Sequence, residues 1–276
     1  MTASALNQPA QVKPVGSVFA NLFWGSKFRA KATAGILILF IWQVGVSLFA
    51  PDFVATPIGV AIAFPGVITS NVFLTASKGT LFAVFQGLAI ALVFGTVVGV
   101  AMGRMKVLDR SLNFYVGGFY TMPMIALLPL LTIWFGYGGD ARLATVVFAA
   151  FFSIVINVRD GARSVPPEYL EVCKAYRAPA RYVWFDITVF SSLPYLIAGF
   201  RLAAGRALVA AVIAEFFVSL QDGVGMFVLF NARNFNHDVA VVGVVALVAF
   251  GLMFEITMNW ATRRFFPWYR RETKAD

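Results

Sequence analysis

The sequence predicts an all-α membrane protein with about six transmembrane helices and one cytoplasmic amphipathic helix. Hydrophobic residues make up 60% of the 276 residues, and charged residues only 13%. A soluble domain carries roughly 25% charged residues, so this chain lacks the charge that a water-exposed surface needs. Uncharged runs of about 18 or more residues are typical of membrane spans, and the chain contains several. We therefore exclude a soluble protein.

Six apolar stretches are the predicted spans. In chain order they cover residues 32–50, 81–103, 111–139, 143–158, 187–217 and 239–262. The first four contain no charged residue, whereas the fifth contains Arg201, Arg206 and Glu215. The sixth contains Glu255. These runs are continuous, unlike the alternating strands of about 10 residues that build membrane β-barrels. Each span is therefore expected to be an α-helix, which satisfies its own backbone in lipid.

The basic residues predict the orientation of the spans. If six spans alternate from a cytoplasmic N-terminus, all but three of the 22 Lys and Arg residues belong to the cytoplasmic side. The exceptions are Lys78, Arg142 and Arg233. We therefore expect a multi-pass inner (plasma) membrane protein with both termini in the cytoplasm. The net charge of +9 is then explained mostly by the basic residues of the cytoplasmic segments, which set the orientation of the spans. No nucleic-acid partner is expected.

The densest run of charge lies between the fourth and fifth spans, in PPEYLEVCKAYRAPARYVWFDITVFSSLPY, residues 166–195. Pro167 suits the first turn of a helix and Pro179 cannot continue one. Charges recur three apart on one side, at Glu168, Glu171, Lys174 and Arg177. Apolar or weakly polar residues follow helical spacing on the other side, at Tyr169, Val172, Cys173 and Tyr176. About 12 residues give roughly 18 Å, too short to span, so the helix is either a solvated surface element or a projection that docks into a partner.

This segment resembles the signature cytoplasmic segment of a known family, the permease subunits of binding-protein-dependent ABC importers of the nitrate/sulfonate/taurine type. The matching positions are Glu171-Val172-Cys173, Ala175-Tyr176, Ile187 and Leu193-Pro194. Further runs similar to this family lie at 126–136, 161–165, 199–202, 214–215 and 263–268. The resemblance covers roughly residues 35 to 270.

The chain departs from the family pattern at two positions of this segment. The family has Gly where this chain has Arg177, and it often has proline where this chain has Phe190. Gly would let the backbone turn between two short helices. Here Pro179, two residues later, is expected to stop the first helix instead.

The resemblance implies the permease fold of type I ABC importers, with alternating access powered from outside this chain. Two ATP-binding ABC ATPase subunits would receive the coupling helix, and a periplasmic or lipoprotein substrate-binding protein would deliver the substrate. A homodimer of the permease, surrounded by membrane lipid, would form the pathway. The residues expected to couple to the ATPase are Glu168, Glu171, Lys174, Ala175, Arg177 and Arg181.

No enzyme activity and no cofactor are expected of this chain, because every ATP ligand belongs to the ATPase partner. A single His and a single Cys also make a His/Cys metal site improbable. The expected organisation has four parts. They are the cytoplasmic N-terminal tail 1–31, the first transmembrane helix and periplasmic loop 32–75, the permease core 76–265 with the coupling segment 166–195, and the cytoplasmic C-terminal tail 266–276.

Arg206 and Glu215 are the candidate substrate-pathway residues. Arg206 lies 12 residues after Pro194, about 18 Å along the helix, where a charge in the membrane is costly and marks a functional site by default. Arg206 either binds a small anion such as a sulfonate, taurine or nitrate, or pairs internally, for instance with Glu215. Import of a pyrimidine-type vitamin precursor is an alternative. An ion-coupled secondary carrier is another, with Glu215 and Glu255 as its intramembrane acids.

Overall fold

The structure, a computed structural model, describes residues 26–51, 54–218 and 222–265. These residues form ten helices and no strand. The helices are α1 (Ser26–Phe49), α2 (Pro57–Thr69), α3 (Asn71–Arg104), α4 (Lys106–Thr121), α5 (Met124–Phe135), α6 (Gly139–Arg163), α7 (Pro167–Ala175), α8 (Ala180–Phe217), α9 (Val224–Arg233) and α10 (His237–Phe265). The predicted C-terminal tail and all but the last residues of the predicted N-terminal tail lie outside the described residues.

The predicted all-α membrane fold is confirmed, with one difference among its spans. Helices α1, α3, α6, α8 and α10 are each long and apolar enough to cross a membrane. The third predicted span is broken into α4 and α5, which are bent by 102°. Met122 is extended and Pro123 caps α5, because proline disfavours a helical residue before it and has no N–H to continue α4.

The described residues separate into two compact units, one ending at Ile62 and the other starting at Ala63. In the first unit, α1 exposes apolar side chains along its length, for example Ile36, Leu37 and Phe40. Such a surface is compatible with lipid contact. The Gln43 side chain accepts a hydrogen bond from the Ile58 backbone N–H at 3.3 Å, which ties the start of α2 to α1.

Helix α6 lies at the centre of the second unit, between α3 and α8. A stripe of small residues on α3 lets the two backbones approach: Gly87, Gly95, Gly99 and Gly103. A Cβ added at Gly99 would lie 2.8 Å from the Val158 Cβ and 2.9 Å from the Val155 carbonyl oxygen. Small residues at such spacing drive helix packing in membranes. The glycine stripe therefore fixes α3 and α6 side by side.

A neighbouring face of α6 packs against α8 in the same manner. A Cβ at Gly199 would meet the Asn157 Cβ at 2.7 Å, and Ala203 and Ala207 are fully buried. Helix α8 begins with the α-helical residues Ala180–Tyr182, which a π-helical stretch, Val183–Val189, follows. The second half of the predicted coupling segment is therefore already the base of a spanning helix.

We predict that filling the space at Gly99 destabilises the fold. Gly99→Val places atoms where Val158 and the Val155 carbonyl already lie, and overpacking costs about 1–3 kcal/mol. The purified protein should lose roughly 2–12 °C of thermal stability in detergent.

Gly117→Ala is the matched control, because nothing lies within 4 Å of a Cβ at that position of α4. Its melting temperature should stay level or rise slightly. Equal melting temperatures for the parent and Gly99→Val would contradict the close packing of α3 on α6.

Candidate functional site

The predicted coupling helix is present as α7, but it ends earlier than the sequence suggested. It closes at Ala175 in a Schellman motif: the Arg177 N–H donates to the Lys174 carbonyl at 3.0 Å, and the Ala178 N–H donates to the Cys173 carbonyl at 2.8 Å. Arg177 has a φ of 50°, the left-handed conformation that glycine adopts most easily. The turn expected of a glycine therefore forms with arginine in that position.

Nearly all of α7 and its C-cap is exposed, on the charged side and on the apolar side alike. The exposed residues are Pro167, Glu168, Tyr169, Glu171, Val172, Lys174, Ala175 and Tyr176. Only Leu170 and Cys173 are half-buried. A surface helix usually buries its apolar side against its own protein. In α7, Tyr169 and Val172 are left 57% and 55% exposed, and Tyr176 84%.

The candidate coupling residues are consecutive in space but lie on different elements. Ala175 ends α7, Arg177 occupies the following turn, and Arg181 lies in the first turn of α8. The Arg181 guanidinium stacks over the Tyr182 ring at 4.8 Å and donates to the Tyr182 hydroxyl at 3.1 Å. Arg181 is therefore held against the base of α8, whereas Glu168 and Glu171 project with α7.

Arg206 lines a cavity of about 600 Å³ beside the break between α4 and α5. The other lining residues are Phe119, Tyr120, Thr121, Met122, Met124, Phe148, Ala149, Phe152, Gly205, Val209, Ala210 and Ile213. The cavity wall is thus apolar and aromatic, with one cationic side chain. That combination of an apolar pocket and a few polar groups is typical of small-molecule sites.

Arg206 is held in place by the end of α4. Its Nη1 donates to the Tyr120 carbonyl oxygen at 3.2 Å, and its guanidinium carbon lies 3.7 Å from the centre of the Tyr120 ring. A cation at a helix C-terminus is favoured by the helix dipole, and stacking on an aromatic ring adds to the attraction. The interaction orients Arg206 and satisfies one backbone carbonyl at the break in the span.

Glu215 lies in a different place, in a fully buried cluster at the end of α8. Its carboxylate accepts hydrogen bonds from the Thr80 hydroxyl at 2.8 Å and the Gly225 N–H at 2.7 Å. It also forms an ion pair with Arg142, at 3.3 Å from Nη1 to Oε1. In this structure Glu215 pairs with Arg142 and Arg206 contacts Tyr120. The expected alternative pair, Arg206 with Glu215, does not form.

Arg142 was not among the candidate site residues predicted from the sequence, where it only fell outside the cytoplasmic segments. It is 6% exposed, and besides Glu215 it reaches Asp222, donating to its carbonyl at 3.3 Å and lying 3.6 Å from its carboxylate. It thereby joins α6, α8 and the segment before α9. A signal was present in the sequence, because Arg142 is one of only three basic residues that fall against the predicted orientation.

Glycines make room for this buried cluster. A Cβ at Gly79 would overlap the Asp222 carbonyl, and a Cβ at Gly225 would lie 2.9 Å from Glu215 Oε2. A Cβ at Gly223 would lie closer still, 2.6 Å from the same Oε2 atom. The cluster therefore clamps α3, α6, α8 and the start of α9 together, and Glu215 does not line the cavity that contains Arg206.

Residues 91–271 match the family model described as the binding-protein-dependent transport system inner membrane component. Among curated proteins, the chain is similar to the formylaminopyrimidine transport permease protein ThiX of Halalkalibacterium halodurans. The two are 24% identical over 238 residues, covering 86% of this chain and 94% of that protein. It is also similar to the taurine transport system permease protein TauC of Escherichia coli, at 25% identity over 86% of this chain and 88% of that protein.

A solved structure has a similar fold. A chain from the inward-facing MetNI methionine ABC transporter superposes with a TM-score of 0.62, covering 70% of this chain and 95% of that chain. Sequence identity is only 18%, so the likeness concerns the fold alone. The expected permease fold of type I importers is thereby confirmed.

We predict that Arg142 and Glu215 stabilise the fold as a unit. Arg142→Met leaves the buried Glu215 without its charged partner, which typically costs about 3–5 kcal/mol. Adding Glu215→Gln removes the unpaired charge and keeps an acceptor for the Gly225 N–H, so the double variant should recover most of that loss. Thermal unfolding in detergent measures the stability of the single and the double variant.

Arg233→Met, an exposed change of the same kind in α9, should have little effect. Additive losses in the double variant would show that Arg142 and Glu215 act independently.

Proposed function

Because the chain belongs to the family of binding-protein-dependent transport system inner membrane components, we propose that it forms the substrate pathway of an ABC importer. In this proposal it transmits movement from ATPase subunits and performs no ATP chemistry itself. A secondary carrier would use Glu215 or Glu255 as its intramembrane acid, and the pairing of Glu215 with Arg142 removes the first of these. Family membership and this pairing both favour the importer subunit.

The observation that carries the proposal is the exposure of α7 on both its charged and apolar sides. This nine-residue helix leaves Tyr169 and Val172 in water, with Tyr176 at its C-cap, and so buries little of its surface against its own fold. A partner's groove would bury these side chains, and aromatic residues are favoured at the centres of such interfaces. The ATP-binding subunit is the partner, and two such subunits serve one transporter.

A second copy of the chain completes the pathway. Arg201 and Arg206 on α8, and Glu255 on α10, are exposed in the single chain although they lie in membrane-spanning helices. Charged side chains in spans almost always face other protein or a water-filled cavity, because exposure to lipid is costly. We place the homodimer partner and the pathway on this side, and lipid on the uncharged sides.

The proposed orientation puts both termini and α7 in the cytoplasm and the buried Arg142–Glu215 cluster near the outer side of the inner membrane. A periplasmic or lipoprotein substrate-binding protein would dock on that outer side. The basic residues at the end of α6 and in α7 support this arrangement, because Arg159, Arg163 and Lys174 would be cytoplasmic.

The substrate we favour is a small anion such as a sulfonate, taurine or nitrate, which Arg206 would contact in the cavity. The taurine permease among the relatives supports this choice. The aromatic wall of the cavity and the formylaminopyrimidine permease favour a second candidate, a pyrimidine-type vitamin precursor. Stacking on Phe119, Phe148 or Phe152 would then replace the charge interaction.

We predict that Glu171→Arg disrupts the ATPase interface without disturbing the membrane fold. A buried, unpaired charge at an interface costs about 2–5 kcal/mol. A cost of about 4 kcal/mol lowers the affinity for the ATPase subunit by roughly a thousandfold. The variant should insert and melt like the parent, yet lose the ATPase subunit during purification or lose substrate-stimulated hydrolysis.

Arg181→Glu is the control, since Arg181 is held against Tyr182 at the base of α8, and its effect should be smaller. If Glu171→Arg copurified with the ATPase and transported at the parent rate, α7 would be a solvated element.

We predict that Arg206→Gln separates the two substrate candidates. A hydrogen bond to a charged group contributes about 1.5–3 kcal/mol, so uptake of an anionic substrate should fall by roughly 10- to 150-fold. Basal ATP hydrolysis and assembly should persist. Uptake into proteoliposomes measures this, with the cognate binding protein loaded with either a sulfonate or a pyrimidine.

Arg233→Gln serves as the matched control, because it removes an exposed arginine on α9. If Arg206→Gln leaves the uptake of a neutral pyrimidine unchanged, this result would support the second candidate. Undiminished uptake of the anion would exclude contact with Arg206.

A further inference from the structure

A buried carboxylate links the start of α4 to the end of α6. Asp109, in the first turn of α4, is only 7% exposed. Its Oδ2 accepts a hydrogen bond from Arg163, and its Oδ1 lies 3.9 Å from Arg159 Nη1. Arg159 also donates to the Asn113 side chain, one turn further along α4. We call Asp109, Asn113, Arg159 and Arg163 the bracket.

The bracket is one end of a continuous antiparallel contact between α4 and α6. Midway, Val116 and Val155 are buried in the same small core as Met102. At the far end, the Phe119 ring lies 5.9 Å from Phe148 and 5.5 Å from Phe152, centre to centre. Residues closer to the C-terminus of α4 thus meet residues closer to the N-terminus of α6.

The bracket lies directly beside the joint that connects α6 to α7. Only Ser164, Val165 and Pro166 separate the two helices. This joint is tight, because the Ser164 N–H donates to the carbonyls of Asp160 at 3.0 Å and Gly161 at 3.2 Å, and Val165 is buried. A short joint of this kind would pass a displacement of α7 to the end of α6, where Arg159 and Arg163 lie.

The other end of α4 holds Arg206. The Tyr120 carbonyl and ring both contact the Arg206 guanidinium. Helix α4 therefore runs from the C-terminal end of α6, beside the start of α7, to the cavity that Arg206 lines. At 16 residues it spans about 24 Å.

We propose that the bracket makes α4 follow the movement of α7, so that the ATPase-driven step repositions Tyr120 and Arg206 at the cavity. Asp109 and Arg163 are then positioning residues for transport. This inference rests on the proposed function, because it requires that α7 is moved by an ATPase subunit.

The bracket is poorly suited to a purely stabilising role. The Arg163 side chain is 48% exposed, and a half-exposed ion pair contributes little to stability. The packing of Val116 and Phe119 already attaches α4 to α6. The Asp109 Oδ1 atom is buried without a hydrogen-bond donor among the described residues, so Arg159 has an acceptor that it reaches only after a small shift. A charge-assisted link with an alternative partner is suited to an element that changes position.

The test is Asp109→Asn in the complete transporter, reconstituted with its ATPase and binding protein. Asn is nearly isosteric but carries no charge, so it weakens both arginine contacts. Transport per ATP hydrolysed should fall by roughly 2- to 30-fold, the range for substitutions along a coupling network. Assembly, melting temperature and basal hydrolysis should stay at parent values.

Arg163→Gln leaves Asp109 with Arg159 as a remaining cation at 3.9 Å, should give the same loss of coupling and serves if Asp109→Asn assembles poorly. Asp140→Asn is the control, because Asp140 is an exposed carboxylate in the first turn of α6, at the other end of the helix from the bracket. Parent-like coupling in both bracket variants, or a loss of coupling that only parallels a loss of assembled complex, would overturn the inference. If the parent chain itself bound no ATPase, the proposed function would fail instead.

Discussion

The close approach of α6 to α3 on one face and to α8 on a neighbouring face is the constraint on which the rest of this structure depends. In lipid there is no hydrophobic force between helices, so association relies on packing and interhelical polar contacts. The glycine stripe of α3, and Gly199 with Ala203 and Ala207 of α8, bring these backbones together. Helix α6 then carries Arg142 at one end, the aromatic cavity wall in the middle and the bracket at the other end.

Three charged contacts inside the second unit lie where helices end or break. The Arg142–Glu215 pair closes the end of α8 against α9, and Arg206 satisfies a carbonyl at the break after α4. Asp109 meets two arginines at the end of α6. Backbone groups freed at helix ends cannot be left unpaired in the membrane. The Arg142–Glu215 pair thus supplies stability, whereas Arg206 and Asp109 supply candidate function.

Helix α7 differs from these positions, because most of its residues are exposed in the single chain. Its shape is instead fixed locally, by Pro167 at its start and the Schellman motif at its end. Arg177 adopts the left-handed conformation there without being glycine, at a cost of order 1–2 kcal/mol. A rigid, exposed helix on a short joint is suited to pass a partner's movement to α6.

The sequence by itself determined the helical membrane fold, the six apolar segments and the position of the exposed amphipathic helix. These depend on local hydropathy and charge, which a single chain displays directly. It also placed Arg206 within a span as a candidate site residue. Only the tertiary structure decided which charges meet, pairing Glu215 with Arg142 and holding Arg206 on Tyr120. The contact of Asp109 with Arg163 was likewise invisible, because residues 54 positions apart in sequence meet only when helices pack. The break after Thr121 was missed although Pro123 is a local signal for it.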